Sequence, residues 1–246
     1  MSPSHPDTPG DRALHDHALT AQMLGMDALL CAPVEVMAVA PKSDASAAGD
    51  DRANRMNELR ARYEREAPHA EFKTSFNKIV WGDGPLNARL MFIGEAPGRD
   101  EDEAGIPFVG RAGQLLNKMI DAMGLCRGDK PNGVYIANVL KTRPIDNATP
   151  TTAEARACAP YLHEQISIVS PDVIVTLGLP ATHLMLDTTD AMGKLRGQWA
   201  AFEDRFTGRS IPVMPTYHPA YLLRSYTPEN RKKVWSDLQL AMKKLA

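Results

Sequence analysis

Four short apolar runs, separated by segments with helical spacing, constrain the fold of this chain more than any other feature. The runs predict strands over Ala88–Gly94, Val134–Leu140, Val173–Leu177 and Ile211–Tyr217. A short apolar run bounded by turn residues is typical of a strand that is buried on both faces of a sheet. Strands that alternate with helices therefore predict an α/β three-layer sandwich, with a central, mainly parallel four-stranded sheet flanked by helices.

Helix signals fill the intervals between these strands. Gly113–Met123 carries apolar residues on one helical face. Thr151 and Glu154 have the spacing of a capping box, which satisfies backbone N–H groups at the start of a helix. Thr227 followed by Pro228 predicts the start of the last helix, because threonine caps well and proline fits the first helical position.

The N-terminal part of the chain differs in character from the rest. A polar start is followed by a predicted helix over Leu14–Cys31 and by small polar residues over 41–52, which predict a linker. A second predicted helix spans Asn54–Glu66. We therefore divide the chain into a variable N-terminal extension, residues 1–70, and an α/β domain, residues 71–246.

Composition excludes several classes of protein. The net charge of −2 gives no global basic field, and phosphate contacts would need a local basic face. Three widely spaced cysteines without a CxxC pair predict a reduced, cytoplasmic protein that has no disulfide framework. No apolar run approaches the roughly 20 residues that a membrane-spanning helix needs, so we expect no membrane partner.

Polar residues stand where three of the predicted strands end. Glu95, Asn138 and His218 lie at or just past those ends, and ligands collect at the carboxyl ends of parallel strands. Three polar groups on one rim indicate a small-ligand pocket. The acidic run Asp100–Glu103 has no histidine near it and no recognised ligand spacing, so we interpret it as a solvated turn and expect no metal site.

Each candidate residue has a functional and a structural interpretation. Glu95 can orient water or stabilise a developing cation, or it can cap nearby amides. Phe108, in a glycine-rich loop, can stack on a planar ligand or anchor the loop in the core. Asn138 carries the donor and acceptor set of a pyrimidine edge, or it pins a neighbouring loop. His218 can donate a hydrogen bond to a leaving-group oxygen, or it simply starts a helix.

Four segments occur in a characteristic order, and together they resemble the uracil-DNA glycosylase superfamily, specifically its family-4 type. The segments are Gly94–Gly98, Pro107–Leu116, Asn138–Pro144 and His218–Arg224. The match covers roughly residues 78–244. The resemblance implies an enzyme that flips uracil out of DNA and hydrolyses its N-glycosidic bond, which leaves an abasic site.

The resemblance also implies a role for each candidate residue. Glu95 looks like the carboxylate that positions water or stabilises the sugar cation, and His218 like the group that stabilises the departing base. Gly94 looks like part of the pocket wall, and Phe108 like the ring that stacks on uracil. Asn138 looks like the residue that reads the uracil edge.

Further residues are expected to contact the DNA. Leu222, Leu223 and Arg224 look like a loop that enters the duplex near the flipped nucleotide, and Arg111 belongs to a local basic rim. The expected partner is therefore DNA that contains uracil. A monomer is the default expectation for an enzyme that scans DNA.

One departure from the family pattern concerns its cofactor. The family-4 type normally holds a [4Fe–4S] cluster on four cysteines, whereas this chain has Thr142 at one such position and matches only at Cys158. One thiolate cannot hold the cluster. We therefore predict a member without metal or cofactor, similar to a cluster-lacking branch, whose loops are held by packing of Phe72, Phe76 and Trp81.

Two alternative functions stay open at this point. The first is a module that binds damaged or abasic DNA with little catalysis. The second is a glycosylase with a broadened range of deaminated bases. A test of excision on a panel of bases would separate these from a uracil-specific enzyme.

Overall fold

The computed structural model describes residues 46–246 of the chain. The predicted helix Leu14–Cys31 and the first part of the predicted linker lie outside these residues. From residue 46 onward the linker prediction is wrong, because helix α1 spans Ser46–Glu66. Alanine is the strongest helix former, so the alanines at the start of α1 favour helix over linker. The apolar residues later in the helix pack it on the core.

The remaining elements alternate as an α/β chain does. The strands are β1 Leu90–Gly94, β2 Cys126–Arg127, β3 Gly133–Asn138, β4 Val173–Leu177, β5 Ala200–Glu203 and β6 Ser210–Thr216. The helices after α1 are α2 Arg99–Ala104, α3 Arg111–Ala122, α4 Thr152–Val169, α5 Leu179–Leu186, α6 Met192–Leu195, α7 Pro219–Arg224 and α8 Pro228–Leu245. Short 3-10 turns occupy Pro68–Glu71 and Ile145–Asn147. None of the described helices is both long and apolar enough to cross a bilayer.

The strands form one sheet in the order β2-β3-β1-β4-β6-β5. All neighbouring pairs are parallel except β5 with β6, which is antiparallel. The predicted class, an α/β fold with a mainly parallel sheet flanked by helices, is confirmed, but the sheet has six strands and not four. The two missed strands lie at the edges, where β2 is only two residues long and β5 is four residues long with Phe202 as its one buried residue.

Both faces of the sheet are covered, which explains why the central strands are apolar throughout. In β1, Leu90 and Phe92 pack into one core cluster, whereas Met91 and Ile93 pack into the other. Burial on both faces removes the polar alternation that a half-exposed strand shows. Helix α1 contributes buried residues to the second cluster, among them Tyr63, so it packs on the same core as the sheet.

The acidic run after β1 is folded into the protein. Helix α2 includes it, and Asp102 is fully buried there. The Asp102 carboxylate accepts hydrogen bonds from the backbone N–H of Asn77 at 2.7 Å, from its side-chain amide at 2.7 Å and from the N–H of Lys78 at 3.2 Å. The interpretation of this run as a solvated turn is therefore wrong for Asp102, since three donors replace the water that burial removes.

Candidate active site

The carboxyl ends of the central strands open into a cavity of about 660 Å³. This volume lies in the usual range for small-molecule sites, about 300–1,000 Å³. Glu95, Phe108, Asn138, His218 and Arg224 all line the cavity. The structure thus brings together residues from three distant parts of the chain, as expected when parallel strands end at one edge of a sheet.

Gly94 allows two of these side chains to meet at the end of β1. A Cβ atom at this position would clash with Oδ1 of Asn138 and with the ring of Phe108. The Phe108 side chain is only 4% exposed and belongs to the core, yet its ring also forms cavity wall. Its centroid lies 5.5 Å from that of His218, with 33° between the ring planes. Phe108 therefore anchors its loop in the core and also lines the cavity, while its stacking on a ligand stays a prediction.

The backbone at Phe108 adopts a left-handed conformation, with φ of 54°. This conformation costs a side-chain-bearing residue on the order of 1–3 kcal/mol, so the surrounding contacts must hold it. Glu101 accepts hydrogen bonds from the N–H groups of Val109 at 2.9 Å and Gly110 at 2.8 Å. On the carbonyl side, Arg127 donates to the oxygens of Pro107 and Phe108. No motif in the sequence indicates that Glu101 and Arg127 support this loop.

Asn138 lines the cavity and carries an unused acceptor. The residue is 1% exposed, and among the described residues its Oδ1 has no hydrogen-bond partner. A buried acceptor without a partner costs about 1–3 kcal/mol, which a ligand donor can recover. The backbone oxygen of Asn138 is occupied, because Nζ of the fully buried Lys141 donates to it at 2.7 Å and to Oε1 of Gln165 at 2.5 Å. Burial lowers the pKa of Lys141 to about 7.

His218 is the N-cap residue of α7, and this position defines its tautomer. Its Nδ1 accepts a hydrogen bond from the N–H of Ala220 at 3.1 Å. Because a neutral imidazole carries one proton, that acceptor role places the proton on Nε2. Burial, assisted by the positive charge of Arg224, lowers the pKa of His218 to about 4. The ring is therefore neutral at physiological pH, with an N–H donor on Nε2.

Glu95 stands one residue beyond β1 and is half-buried. Burial raises the pKa of its carboxyl group, whereas a hydrogen bond from Thr149 and the charge of Arg224 lower it. The net shift is upward. The positive charge of Arg224 thus shifts the pKa of two titratable groups of the cavity, since it favours the ionised form of Glu95 and the neutral form of His218.

Helix α7 places the predicted DNA-contacting residues in different environments. Leu222 is 1% exposed and packs in the core, so the prediction that it enters the duplex is wrong. The helix turns this side chain towards the apolar face of α3, while Tyr221, 36% exposed, lines the cavity instead. Leu223 is half-buried and Arg224 is exposed. Arg111 is exposed at the first position of α3.

Comparisons with known proteins identify the family to which this sequence is similar. A model of the Uracil DNA glycosylase superfamily matches residues 81–239. The Type-4 uracil-DNA glycosylase of Thermotoga maritima is 44% identical over 66% of this chain and 81% of its own length. The Type-4 uracil-DNA glycosylase of Pyrobaculum aerophilum is 40% identical over 65% of this chain and 80% of its own. A Type-5 uracil-DNA glycosylase of Pyrobaculum aerophilum is 32% identical over 58% of this chain and 65% of its own length.

These relatives contradict the prediction that the protein has no cofactor. The relatives at 40–44% identity carry the Type-4 name, and Type-4 is the branch that binds a [4Fe–4S] cluster. The described residues around Cys158 do not fit a site of four thiolates. Burial raises the pKa of the Cys158 thiol to about 11, and Thr142, also buried, offers a hydroxyl. We therefore derive no step of the reaction through a cluster.

The matched span covers the whole sheet and every residue of the cavity wall described above. It extends over more than half of the chain, and the named relatives are covered over most of their length. Sequence, fold and the position of the cavity all lead to one assignment. The chain belongs to the uracil DNA glycosylase superfamily.

Proposed function

We propose that this protein is a uracil-DNA glycosylase, which hydrolyses the N-glycosidic bond of uracil in DNA and leaves an abasic site. The observation that carries this proposal is the unpartnered Oδ1 of Asn138, a residue that lines the cavity together with Phe108 and His218. A planar base with an N–H donor on its edge would satisfy this acceptor. The names of the relatives support the same reaction.

Base recognition would require the nucleotide to leave the duplex. Flipping costs a few kcal/mol of unstacking, and stacking on an aromatic ring returns about 1–3 kcal/mol. Phe108 would supply that ring. Oδ1 of Asn138 would accept the N3–H of uracil, and its amide N–H would donate to the adjacent carbonyl oxygen. Cytosine presents the opposite pattern at these two positions, so a fixed amide would reject it.

The bond to the sugar would break with charge separation. The electron pair of the C1′–N1 bond stays on the base, which becomes anionic, while positive charge grows on the sugar. Nε2–H of His218 would donate to a carbonyl oxygen of the departing base, and fixed donors aimed at developing charge supply a large part of catalysis. Ionised Glu95 would stabilise the sugar cation and orient the water that attacks it. The water proton leaves through Glu95 and ends on the base.

Several further assignments belong to the same proposal. Arg111, Leu223 and Arg224 would contact the DNA around the cavity, and the protein would act as a cytoplasmic monomer. Residues 71–246 would form the catalytic domain. The burial of α1 residues in the core favours counting residues 46–70 with this domain.

An excision assay tests the proposed reaction. End-labelled duplex DNA with a single uracil is incubated with the purified protein and then cleaved with alkali. We expect strand scission at the uracil position and none when cytosine or thymine stands there. Intact uracil DNA, together with retention of abasic DNA in a gel shift, would favour the binding module. Scission at hypoxanthine would indicate the broadened base range.

A further inference from the structure

We propose that Arg127 is a positioning residue, which holds the Phe108 ring at the place where it stacks on the flipped base. Arg127 lies on the edge strand β2, and none of its atoms lines the cavity. The proposal rests on the proposed function. Arg127 would contribute to base binding indirectly, because it binds the backbone of residues 107–110, here called the Phe108 loop.

All three nitrogen atoms of the Arg127 guanidinium group donate hydrogen bonds. One terminal nitrogen donates to the carbonyl of Phe108 and, at 3.1 Å, to Oδ1 of Asn117. The other terminal nitrogen donates to the carbonyl of Pro107. Nε donates to Asp83 at 2.8 Å, which completes an ion pair. A planar fork of five N–H donors suits this task, and a lysine ammonium cannot reproduce it.

The Phe108 loop needs such a support because its backbone is strained. Its left-handed φ of 54° is rare for a residue with a side chain. Helix α3 approaches so closely that a Cβ atom at Gly113 would overlap the carbonyl of Phe108. Glu101 binds the N–H side of the loop, and Arg127 binds its carbonyl side. Two opposite charges therefore fix the peptide groups on both sides of the stacking ring.

The chain offers a matched control elsewhere. Arg89 forms an ion pair with Asp172 at 2.5 Å and donates to the carbonyl of Leu245 at 2.6 Å. Its side chain is 24% exposed, close to the 19% of Arg127. Arg89 precedes β1, at the amino end of the strand, so it lies at the opposite end of the sheet from the cavity. The two arginines thus share chemistry and burial but differ in what they position.

The experiment compares R127K with R89K on uracil DNA. Single-turnover excision rates and melting temperatures are measured for both variants and for the wild-type protein. We expect both melting temperatures to fall, and that of R127K to fall further, because Arg127 donates to four acceptors and Arg89 to two. We expect R127K to slow excision by about 10-fold or more, which is about 1.4 kcal/mol in the barrier, and R89K to stay within about 2-fold of wild type.

A double-mutant cycle separates positioning from general stability. Phe108→Leu removes the ring while keeping an apolar side chain in the core. In that background we expect R127K to cost less than about 2-fold, because the ring that it positions is gone. Should R127K not fold, Asp83→Asn, which releases the ion pair without touching the loop, is measured in the same two backgrounds. It is expected to slow excision only where Phe108 is present.

The outcomes of this series are distinct. Equal excision by R127K and R89K, or the same loss from R127K with and without the Phe108 ring, would overturn the positioning role alone. Failure of the wild-type protein to excise uracil would overturn the proposed function and this inference with it.

Discussion

The segments that follow β1 and β6 bring polar side chains to one cavity, yet different forces hold them. The β1 segment, residues 95–110, is fixed mainly by ionised side chains that bind its backbone, Glu101 from within and Arg127 from strand β2. The β6 segment, residues 217–224, is fixed by apolar burial, since Leu222 packs into the core.

The two segments are therefore sensitive to different kinds of substitution. A segment held by partly buried charges depends on every partner, because a buried polar group that loses its partner costs up to about 1–3 kcal/mol. A segment held by apolar burial tolerates volume-conserving exchanges at a cost below about 1.5 kcal/mol. Removal of a charge without change of shape is therefore expected to damage the β1 segment, whereas in the β6 segment only the loss of a reacting group matters.

The largest effect is expected at His218. His218→Asn keeps a side chain that caps helices well but removes the Nε2–H donor. We expect the single-turnover excision rate to fall by about 10²–10³-fold, as when one donor to a developing anion is removed. The free energy of unfolding, measured in urea, is expected to change little.

Leu222→Met, on the same helix, is the matched control. It keeps the buried volume, so excision is expected to stay near the wild-type rate. Undiminished excision by His218→Asn would show that this ring does not stabilise the departing base. An equal loss of excision rate in Leu222→Met would show that the rate depends on the packing of helix α7 rather than on the His218 ring.

An intermediate effect is expected at Asp102 in the β1 segment. Asp102→Asn keeps the shape of the side chain but removes the charge that serves three donors. We expect the free energy of unfolding to fall by about 2 kcal/mol. Asp100→Asn, on the exposed side of the same helix, is expected to stay within about 0.5 kcal/mol of wild type. Equal values for the two variants in urea unfolding would argue against support of this segment by buried charge.

The same contrast shows how much of the molecule is predictable from its sequence. Apolar runs identify the four central strands, because strands buried on both faces leave a continuous apolar signal. The capping pairs Thr151 with Glu154 and Thr227 with Pro228 identify helix starts that the structure confirms. Capping pairs of this kind can be predicted from sequence because the two interacting residues lie within a few positions of each other.

Other features depend on contacts between distant positions. The burial of Asp102 depends on donors about 25 residues earlier in the chain, and the task of Arg127 on carbonyls about 20 residues earlier. Nothing in the composition of an acidic run or of a two-residue strand indicates these partners. The motif at His218–Arg224 identifies the right helix, but the rotation that buries Leu222 follows from packing against α3.

The smallest effect is expected at Thr149, which influences the pKa of Glu95 at the start of the β1 segment. Its hydrogen bond lowers the pKa of Glu95, against the larger upward shift caused by burial. Thr149→Val removes this bond, so the pKa of Glu95 rises and its proton stays bound to a higher pH. We expect the acid side of the rate profile to move to higher pH, so that excision is slower than wild type only in acidic buffer.

At pH values above the Glu95 pKa of both proteins, Thr149→Val and wild type should excise uracil equally fast, because the carboxylate is then ionised in both. The profile should also stay flat as pH rises through 6.5, since the pKa of His218 is already lowered to about 4. Thr149→Ser retains the hydroxyl and should follow the wild-type curve. A loss in Thr149→Val that is uniform across pH would mean that Thr149 acts on DNA binding rather than on the charge of Glu95.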